Sequence, residues 1–292
     1  MTTHKISLIL TNGNYQKAEA DFYSSSEAFP SAPAKYRTIL YFHGGGLLFG
    51  SRRDLPEVYR DMFLKAGYDF LAFDYPLAPE YPVSMIADSC MQFVQWFLTH
   101  YPDELGLSSP EYILFGRSAG AFLSIQTAYQ MVRNRLPAPD ALILFYGYPS
   151  LLEEDFSKPN RYYQAEYPPV SKEEAFQSIE NSPVFDTVKS PRTLLYLYAR
   201  QTGGWMELLG PEEDLEDSSL SSKQLSILPP AFLTASSMDR DVPFRLSKNM
   251  ARSIPDSKFY PVYNLGHDFD QDTSAPEGRQ AYEECLEWLE QL

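Results

Sequence analysis

The chain has 292 residues, and its 39 Asp and Glu against 24 Lys and Arg give it a net charge of −15. This acidic balance argues against a nucleic-acid partner and against an anionic membrane surface, because Lys and Arg supply most of the affinity for both. Only two cysteines occur and no apolar run approaches the roughly 18 residues of a membrane span. We therefore expect a cytoplasmic protein without a disulfide framework or a membrane partner.

Strand-like and helix-like segments alternate along the chain. Short runs rich in β-branched, leucine or aromatic residues predict strands at 6–10, 18–23, 37–42, 70–74, 112–115, 141–146, 231–235 and 258–263. Amphipathic stretches predict helices at 55–65, 84–99, 121–133, 243–253 and 276–290. No helix separates the first two strands, which favours a hairpin. The later alternation predicts an α/β fold, with a mostly parallel sheet and helices on both faces.

Residues 151–230 interrupt this alternation. Two parts of the segment, 172–179 and 193–198, are compatible with a helix or with an extended strand. The acidic run at 212–217 favours a solvated surface loop. An insertion above a sheet edge more often builds a binding pocket than an independent domain. We therefore expect one domain over residues 1–292, with the insertion 151–230 covering the functional site.

The strongest chemical signal is Gly-Arg-Ser-Ala-Gly at 116–120, which fits the pattern G-x-S-x-G. It follows one predicted strand and opens the next predicted helix, which is the context that this motif requires. The turn raises the serine hydroxyl above the sheet, where the helix N-terminus favours negative charge. Ser118 is therefore the candidate nucleophile. The alternative interpretation is a tight turn with a capping serine.

A second signal is His-Gly-Gly-Gly at 43–46, directly after the strand predicted at 37–42. Acyl transfer places negative charge on an oxygen, and preorganised backbone N–H groups stabilise it. Glycines allow the backbone to come close without side chains intruding. Taken alone, the glycine run also fits a flexible turn or a phosphate cradle. No G-x-G-x-x-G or GK[ST] pattern accompanies it, which disfavours a nucleotide site.

A nucleophilic serine needs a base and an acid that orients the base. Of the four histidines, His267 lies between the last predicted strand and the final helix, and it is the candidate base. Asp239 and Asp241 both follow the penultimate strand. The D-x-x-V-P spacing favours Asp239 as the acid, and Asp241 then becomes a helix N-cap or a salt-bridge partner. The resulting order, Ser118, Asp239 and His267, is the one expected for this architecture.

These blocks, in this order, resemble an α/β-hydrolase carboxylesterase of the hormone-sensitive-lipase-like group. The resemblance also rests on Phe-Gly-Ser at 49–51 and on Asp-Tyr-Pro-Leu-Ala-Pro-Glu at 74–80. Arg117 stands where many relatives have Asp, a version that resembles the feruloyl-esterase-like branch. The resemblance implies the α/β-hydrolase fold and an oxyanion hole formed by the backbone N–H groups of Gly45, Gly46 and Ala119.

Motifs and resemblance together predict a serine hydrolase that cleaves small, uncharged carboxylic esters through an acyl-enzyme, without a metal or an organic cofactor. Two alternatives stay open: a peptidase or amidase on the same triad, and a non-catalytic ligand-binding protein of the same fold. The expected partner is a small-molecule ester, and a homodimer is compatible with the sequence. The residues expected to line the substrate pocket are Leu47, Leu48, Phe49, Tyr148 and Trp205. Those expected to form its roof are Tyr162, Tyr163 and Trp205.

Overall fold

A computed structural model describes residues 1–9, 15–187 and 191–292. In these ranges eight strands form one sheet, in the spatial order β1-β2-β4-β3-β5-β6-β7-β8. The strands are β1 Thr2–Ile9, β2 Tyr15–Tyr23, β3 Thr38–Phe42, β4 Asp69–Phe73, β5 Tyr112–Arg117, β6 Ala141–Phe145, β7 Ala231–Ser236 and β8 Lys258–Val262. All eight predicted strands are confirmed with small shifts of their bounds. Leu10, the predicted end of the first strand, lies outside the described residues.

The described helices are α1 Ser25–Ala28, α2 Glu57–Lys65, α3 Val83–His100, α4 Ala119–Arg133, α5 Arg161–Glu166, α6 Lys172–Phe176, α7 Thr193–Thr202, α8 Glu212–Asp217, α9 Ser222–Leu225, α10 Phe244–Ser253 and α11 Pro276–Leu289. The five predicted helices are confirmed as α2, α3, α4, α10 and α11. The two segments that were compatible with helix or strand are the helices α6 and α7.

The prediction of a loop at the acidic run was wrong, because residues 212–217 form α8. Three acidic side chains lie in the first turn of this helix, where they interact favourably with the helix dipole. Leu215 is buried and joins the helix to the hydrophobic core.

The direction of the strands places the carboxyl ends of the central strands at one edge of the sheet. β1 pairs with β2 as the predicted antiparallel hairpin, and β2 pairs antiparallel with β4. All further neighbours, from β4 through β3, β5, β6 and β7 to β8, are parallel. The loops that follow β3, β5, β7 and β8 therefore meet above this edge, where open α/β sheets bind their ligands.

The sheet is covered on both faces. α3 and α4 contribute Phe93 and Phe122 to the core on one face, and α2 and α11 contribute Phe63 and Tyr282 to the core on the other. Every residue of β3, β5, β6 and β7 is buried, which explains why these strands are almost continuously apolar. In the described part of the chain, no helix has the length and apolar character needed to cross a membrane.

Candidate active site

Ser118 occupies a sharp turn between β5 and α4. Its backbone dihedrals, φ 52° and ψ −117°, lie in a strained region that a side chain adopts only where the surrounding structure enforces it. The two flanking glycines make the turn sterically feasible. A Cβ atom at Gly116 would overlap the backbone of Gly120, and one at Gly120 would overlap the carbonyl group of Phe42. The motif thus lets β3, β5 and α4 approach closely at the serine.

The structure brings the three residues predicted as nucleophile, base and acid into one hydrogen-bonded chain. Ser118 Oγ lies 2.8 Å from His267 Nε2, and His267 Nδ1 lies 2.6 Å from Asp239 Oδ2. With a carboxylate at Nδ1, that nitrogen carries the hydrogen, which leaves Nε2 as the acceptor for the serine hydroxyl. The arrangement can therefore draw a proton from Ser118.

The carboxylate of Asp239 is fully buried and held by its own loop. Its Oδ1 accepts from the backbone N–H groups of Asp241 and Val242, each over 2.8 Å. The other oxygen is thereby directed at His267. This loop gives a physical reason for the D-x-x-V-P spacing, because the residues two and three positions after Asp239 supply the N–H groups that hold its carboxylate.

Burial of the His267 imidazole acts to lower its pKa, since burial penalises the charged ring. The neighbouring carboxylates outweigh this effect, and the pKa of His267 is raised above its ordinary value. Asp239 contributes most to the increase, followed by Asp268 and Asp241. The site therefore stabilises the imidazolium that forms when His267 accepts a proton.

The glycine loop, residues 43–46, lies next to the turn that carries Ser118. Gly45 and Gly46 have φ values of 107° and 59°, a region that glycine adopts without strain. A Cβ atom at Gly45 would overlap the carbonyl group of Phe49, and one at Gly46 would overlap the ring of Tyr196. Among the residues that the structure describes, no hydrogen-bond acceptor is paired with the N–H groups of Gly45, Gly46 or Ala119.

Two side chains from the segment 151–230 hold the glycine loop in place. Trp205 Nε1 donates to the carbonyl oxygen of Gly46 over 2.9 Å. Arg192 is fully buried and donates from Nε to the carbonyl oxygen of Leu48 over 2.7 Å. The same guanidinium donates to both carboxylate oxygens of Glu80, over 2.7 and 2.8 Å. Glu80 ends the block at 74–80, and this ion pair gives that glutamate a structural role.

A cavity of about 690 Å³ lies above the serine. Phe49 lines it as predicted, and so do Tyr162 and Tyr163 from the segment 151–230. The further aromatic residues of its wall are Tyr167 and Tyr196, and its charged residues are Arg240, Asp241 and Asp268.

Four of the five residues predicted to line the pocket lie outside its wall. Leu47 and Leu48 are fully buried in the core, because Leu48 N and Phe49 N both donate to the carbonyl oxygen of Gly45 and turn the chain back. Tyr148 and Trp205 are also buried, and their rings meet edge to face at 6.0 Å. These four side chains pack in the core and do not line the cavity.

The sequence did not predict that the side chain of Asp241 lines the cavity. The proposed N-cap role is wrong, because the cap of α10 is Pro243, whereas the salt-bridge alternative is correct. Its carboxylate faces the cavity, with Oδ2 at 4.0 Å from His267 Nε2. Its partners, Tyr196 and Arg200, come from α7, so no local sequence pattern pointed to it.

Within residues 1–9, 15–187 and 191–292, no group of three or more His, Cys, Asp or Glu side chains is arranged to hold a metal ion.

Comparison with known proteins places the chain among proteins of similar architecture. The profile of a family described as the α/β-hydrolase fold matches residues 39–269. A protein of unknown function from Staphylococcus aureus subsp. aureus Mu50 is 28% identical, with a TM-score of 0.83 over 98% of both chains. An α/β-hydrolase superfamily protein from Enterococcus faecalis is 32% identical, with a TM-score of 0.80 over 99% of both chains.

Hormone-sensitive lipase from Homo sapiens is 27% identical over 158 residues, which is 53% of this chain and 14% of the lipase. Lipase 2 from Moraxella sp. (strain TA144) is matched over 25% of its own length, and the non-reducing polyketide synthase trt4 from Aspergillus terreus over 6%. The chain thus spans only a small part of these curated relatives.

Proposed function

The chain belongs to the α/β-hydrolase fold family, and on this premise we propose that it is a serine hydrolase of small, uncharged carboxylic esters. The family and the fold predicted from the sequence are thereby confirmed. The observation that carries the proposal is the chain of hydrogen bonds from Ser118 Oγ through His267 to Asp239, with lengths of 2.8 and 2.6 Å. The similarity to hormone-sensitive lipase supports ester hydrolysis as the activity.

In the proposed reaction, Ser118 Oγ attacks the carbonyl carbon of the ester while His267 Nε2 accepts the hydroxyl proton. Asp239 keeps the imidazole in the required tautomer and stabilises its charged form. The N–H groups of Gly45, Gly46 and Ala119 receive the negative oxygen of the tetrahedral intermediate. The protonated His267 then donates its proton to the leaving alcohol, and an acyl-enzyme on Ser118 remains.

The cavity supports a preference for short, uncharged acyl groups. Its aromatic wall favours apolar or planar groups, and the carboxylates of Asp241 and Asp268, which outnumber the guanidinium of Arg240, disfavour anionic ones. A cavity of about 690 Å³ has the size of an ordinary small-molecule site and holds a small ester. Because α5 and α7 provide much of the wall, the segment 151–230 acts as the cover of the site.

Hydrolysis of chromogenic esters of graded acyl length by the wild type and by Ser118→Ala tests this function. The variant should lose turnover to the weak level that binding and the oxyanion hole supply, while its thermal unfolding stays close to that of the wild type. Retention of a tenth or more of the wild-type rate would reject Ser118 as the nucleophile. Faster cleavage of matched amides than of esters by the wild type would favour the amidase alternative.

A further inference from the structure

Asp241 places a second carboxylate beside the base of the proposed triad. Its Oδ2 lies 4.0 Å from Nε2 of His267, the nitrogen that faces Ser118. The side chain lines the cavity although only 8% of it is exposed. Two acceptors, the imidazole Nε2 and the carboxylate Oδ2, therefore border the space next to the serine hydroxyl.

The carboxylate of Asp241 is held rigidly from behind. Arg200 Nε donates to Oδ1 over 3.0 Å, and the other end of this guanidinium donates to the backbone carbonyl of Asp241 over 2.9 Å. Tyr196 Oη donates to the carboxylate at 2.9 and 2.8 Å from its two oxygens. Tyr163 in the cavity wall also interacts with this carboxylate through its hydroxyl group. A carboxylate accepts about four hydrogen bonds, so these three donors leave acceptor capacity for a further group in the cavity.

A separation of 4.0 Å between two acceptors suits one water molecule. For a water oxygen at an ordinary distance of about 2.8 Å from each acceptor, the directions to the two acceptors form nearly a right angle. This is close to the angle between the two O–H bonds of water. It would donate one hydrogen to His267 and the other to Asp241. An alcohol has a single O–H group, and its carbon would press against the carboxylate without a hydrogen bond.

We propose that Asp241 is a positioning residue, which orients the water that releases the acyl group and thereby favours water over alcohols as the acyl acceptor. This inference rests on the proposed function, because it concerns the second half of the acyl-enzyme reaction. In this role, Asp241 determines whether water or an alcohol takes the acyl group from Ser118.

In the proposed step, the water oxygen bonds to the acyl carbon as one of its protons passes to His267 Nε2. The second hydrogen stays on that oxygen and is held by Asp241 Oδ2. The bond between the acyl carbon and Ser118 Oγ then breaks, and the proton on His267 returns to Oγ. The carboxylic acid leaves with the remaining hydrogen, and the free serine is restored.

The competition between methanol and water for the acyl-enzyme tests this assignment. A short-chain ester is turned over in aqueous methanol, and the ratio of methyl ester to free acid is measured. Both products come from the same acyl-enzyme, so the ratio is independent of the folded fraction of each preparation. A purely structural role of Asp241 would therefore leave the ratio unchanged.

Asp241→Asn is the principal variant. Arg200 and Tyr196 are both donors, so they retain the amide oxygen and place the NH2 group at the position of Oδ2, where it accepts nothing. The ratio of methyl ester to acid should then rise about fivefold, as expected for the loss of one hydrogen bond to the attacking water. Asp268→Asn removes a carboxylate from the same cavity wall and is the matched control, with a ratio that stays within about twofold.

Because Asp241→Asn leaves the buried Arg200 without its counter-charge, the double variant Arg200→Met/Asp241→Leu serves as the second test. It removes both charges and should raise the ratio in the same direction. An unchanged or lower ratio in both variants would overturn the role of Asp241 while leaving Ser118-dependent hydrolysis intact. Absence of Ser118-dependent turnover in the wild type would overturn the proposed function and this inference together.

Discussion

The guanidinium of Arg117 donates to the carboxylate of Asp270 over 2.9 Å, and both side chains are buried. Arg117 directly precedes the candidate nucleophile, and Asp270 follows His267 by three residues. The carboxylate also accepts from the hydroxyl groups of Tyr146 and Tyr282, over 2.8 and 2.7 Å. This buried ion pair therefore fixes the loop of the base against the strand of the nucleophile.

Replacement of Asp270 by Ala should lower the free energy of unfolding by about 3–5 kcal/mol, because it leaves the buried Arg117 with only the partly exposed carboxylate of Asp54, at 3.3 Å, as a counter-charge. Urea unfolding measures this loss. The control is Glu283→Ala, which breaks the exposed pair with Arg279 and should change stability by no more than about 0.5 kcal/mol. A loss below about 1 kcal/mol for Asp270→Ala would show that this ion pair does not fix the loop.

The parts of the site that the sequence predicted are those that depend on neighbouring residues. The turn at Ser118 needs the glycines at 116 and 120, and the carboxylate of Asp239 is held by backbone N–H groups within the next three residues. Asp241 obtains its position from Arg200 and Tyr196, which lie 41 and 45 residues earlier in the chain. Such contacts leave no local pattern.

The pocket prediction failed for a related reason. Adjacency to the glycine run suggested that Leu47 and Leu48 would face the substrate, but the tight turn at Gly45 directs both side chains into the core. Phe49, one position later, reaches the cavity and packs against Tyr196, with ring centroids 5.6 Å apart. The turn geometry, rather than the apolar character, decided which residue lines the site.

Asp239→Asn should lower kcat by about 10⁴-fold, because an amide at this position favours the wrong imidazole tautomer. Steady-state kinetics on a short ester measures the loss, and circular dichroism verifies the fold. If activity stayed within tenfold of the wild type, Asp239 would not be the acid that orients His267.

The pH dependence of kcat/KM follows from the raised pKa of His267. The base must be neutral to accept a proton, so activity should fall on the acid side, with a midpoint above the ordinary imidazole value of about 6.5. Asp268→Asn removes one of the carboxylates that raise this pKa, and the midpoint should move to lower pH. A midpoint at or below the ordinary value, or a shift to higher pH in the variant, would contradict this electrostatic account.

Acyl-chain preference tests the account of the cavity. Esters with acyl groups of about two to six carbons should exceed long-chain lipid esters at least about tenfold in kcat/KM, because the covered site restricts length. Tyr162→Ala/Tyr167→Ala should weaken this preference, since both side chains line the cavity and are 40% and 38% exposed. Tyr15→Ala, at a tyrosine 71% exposed and outside the cavity wall, is the control. Equal preference in all three proteins would exclude this wall as the determinant of acyl length.

Covalent labelling with a fluorophosphonate tests the central claim most directly, since the reagent reacts only with a serine that a base has activated. Intact mass and peptide mapping of the full chain should show one adduct per molecule, on Ser118. The adduct should be absent from Ser118→Ala and strongly slowed in His267→Ala, because the latter variant keeps the hydroxyl but lacks its base. A wild-type protein that stays unlabelled, or that carries the adduct on another residue, would contradict the assignment of Ser118, His267 and Asp239 as a catalytic triad.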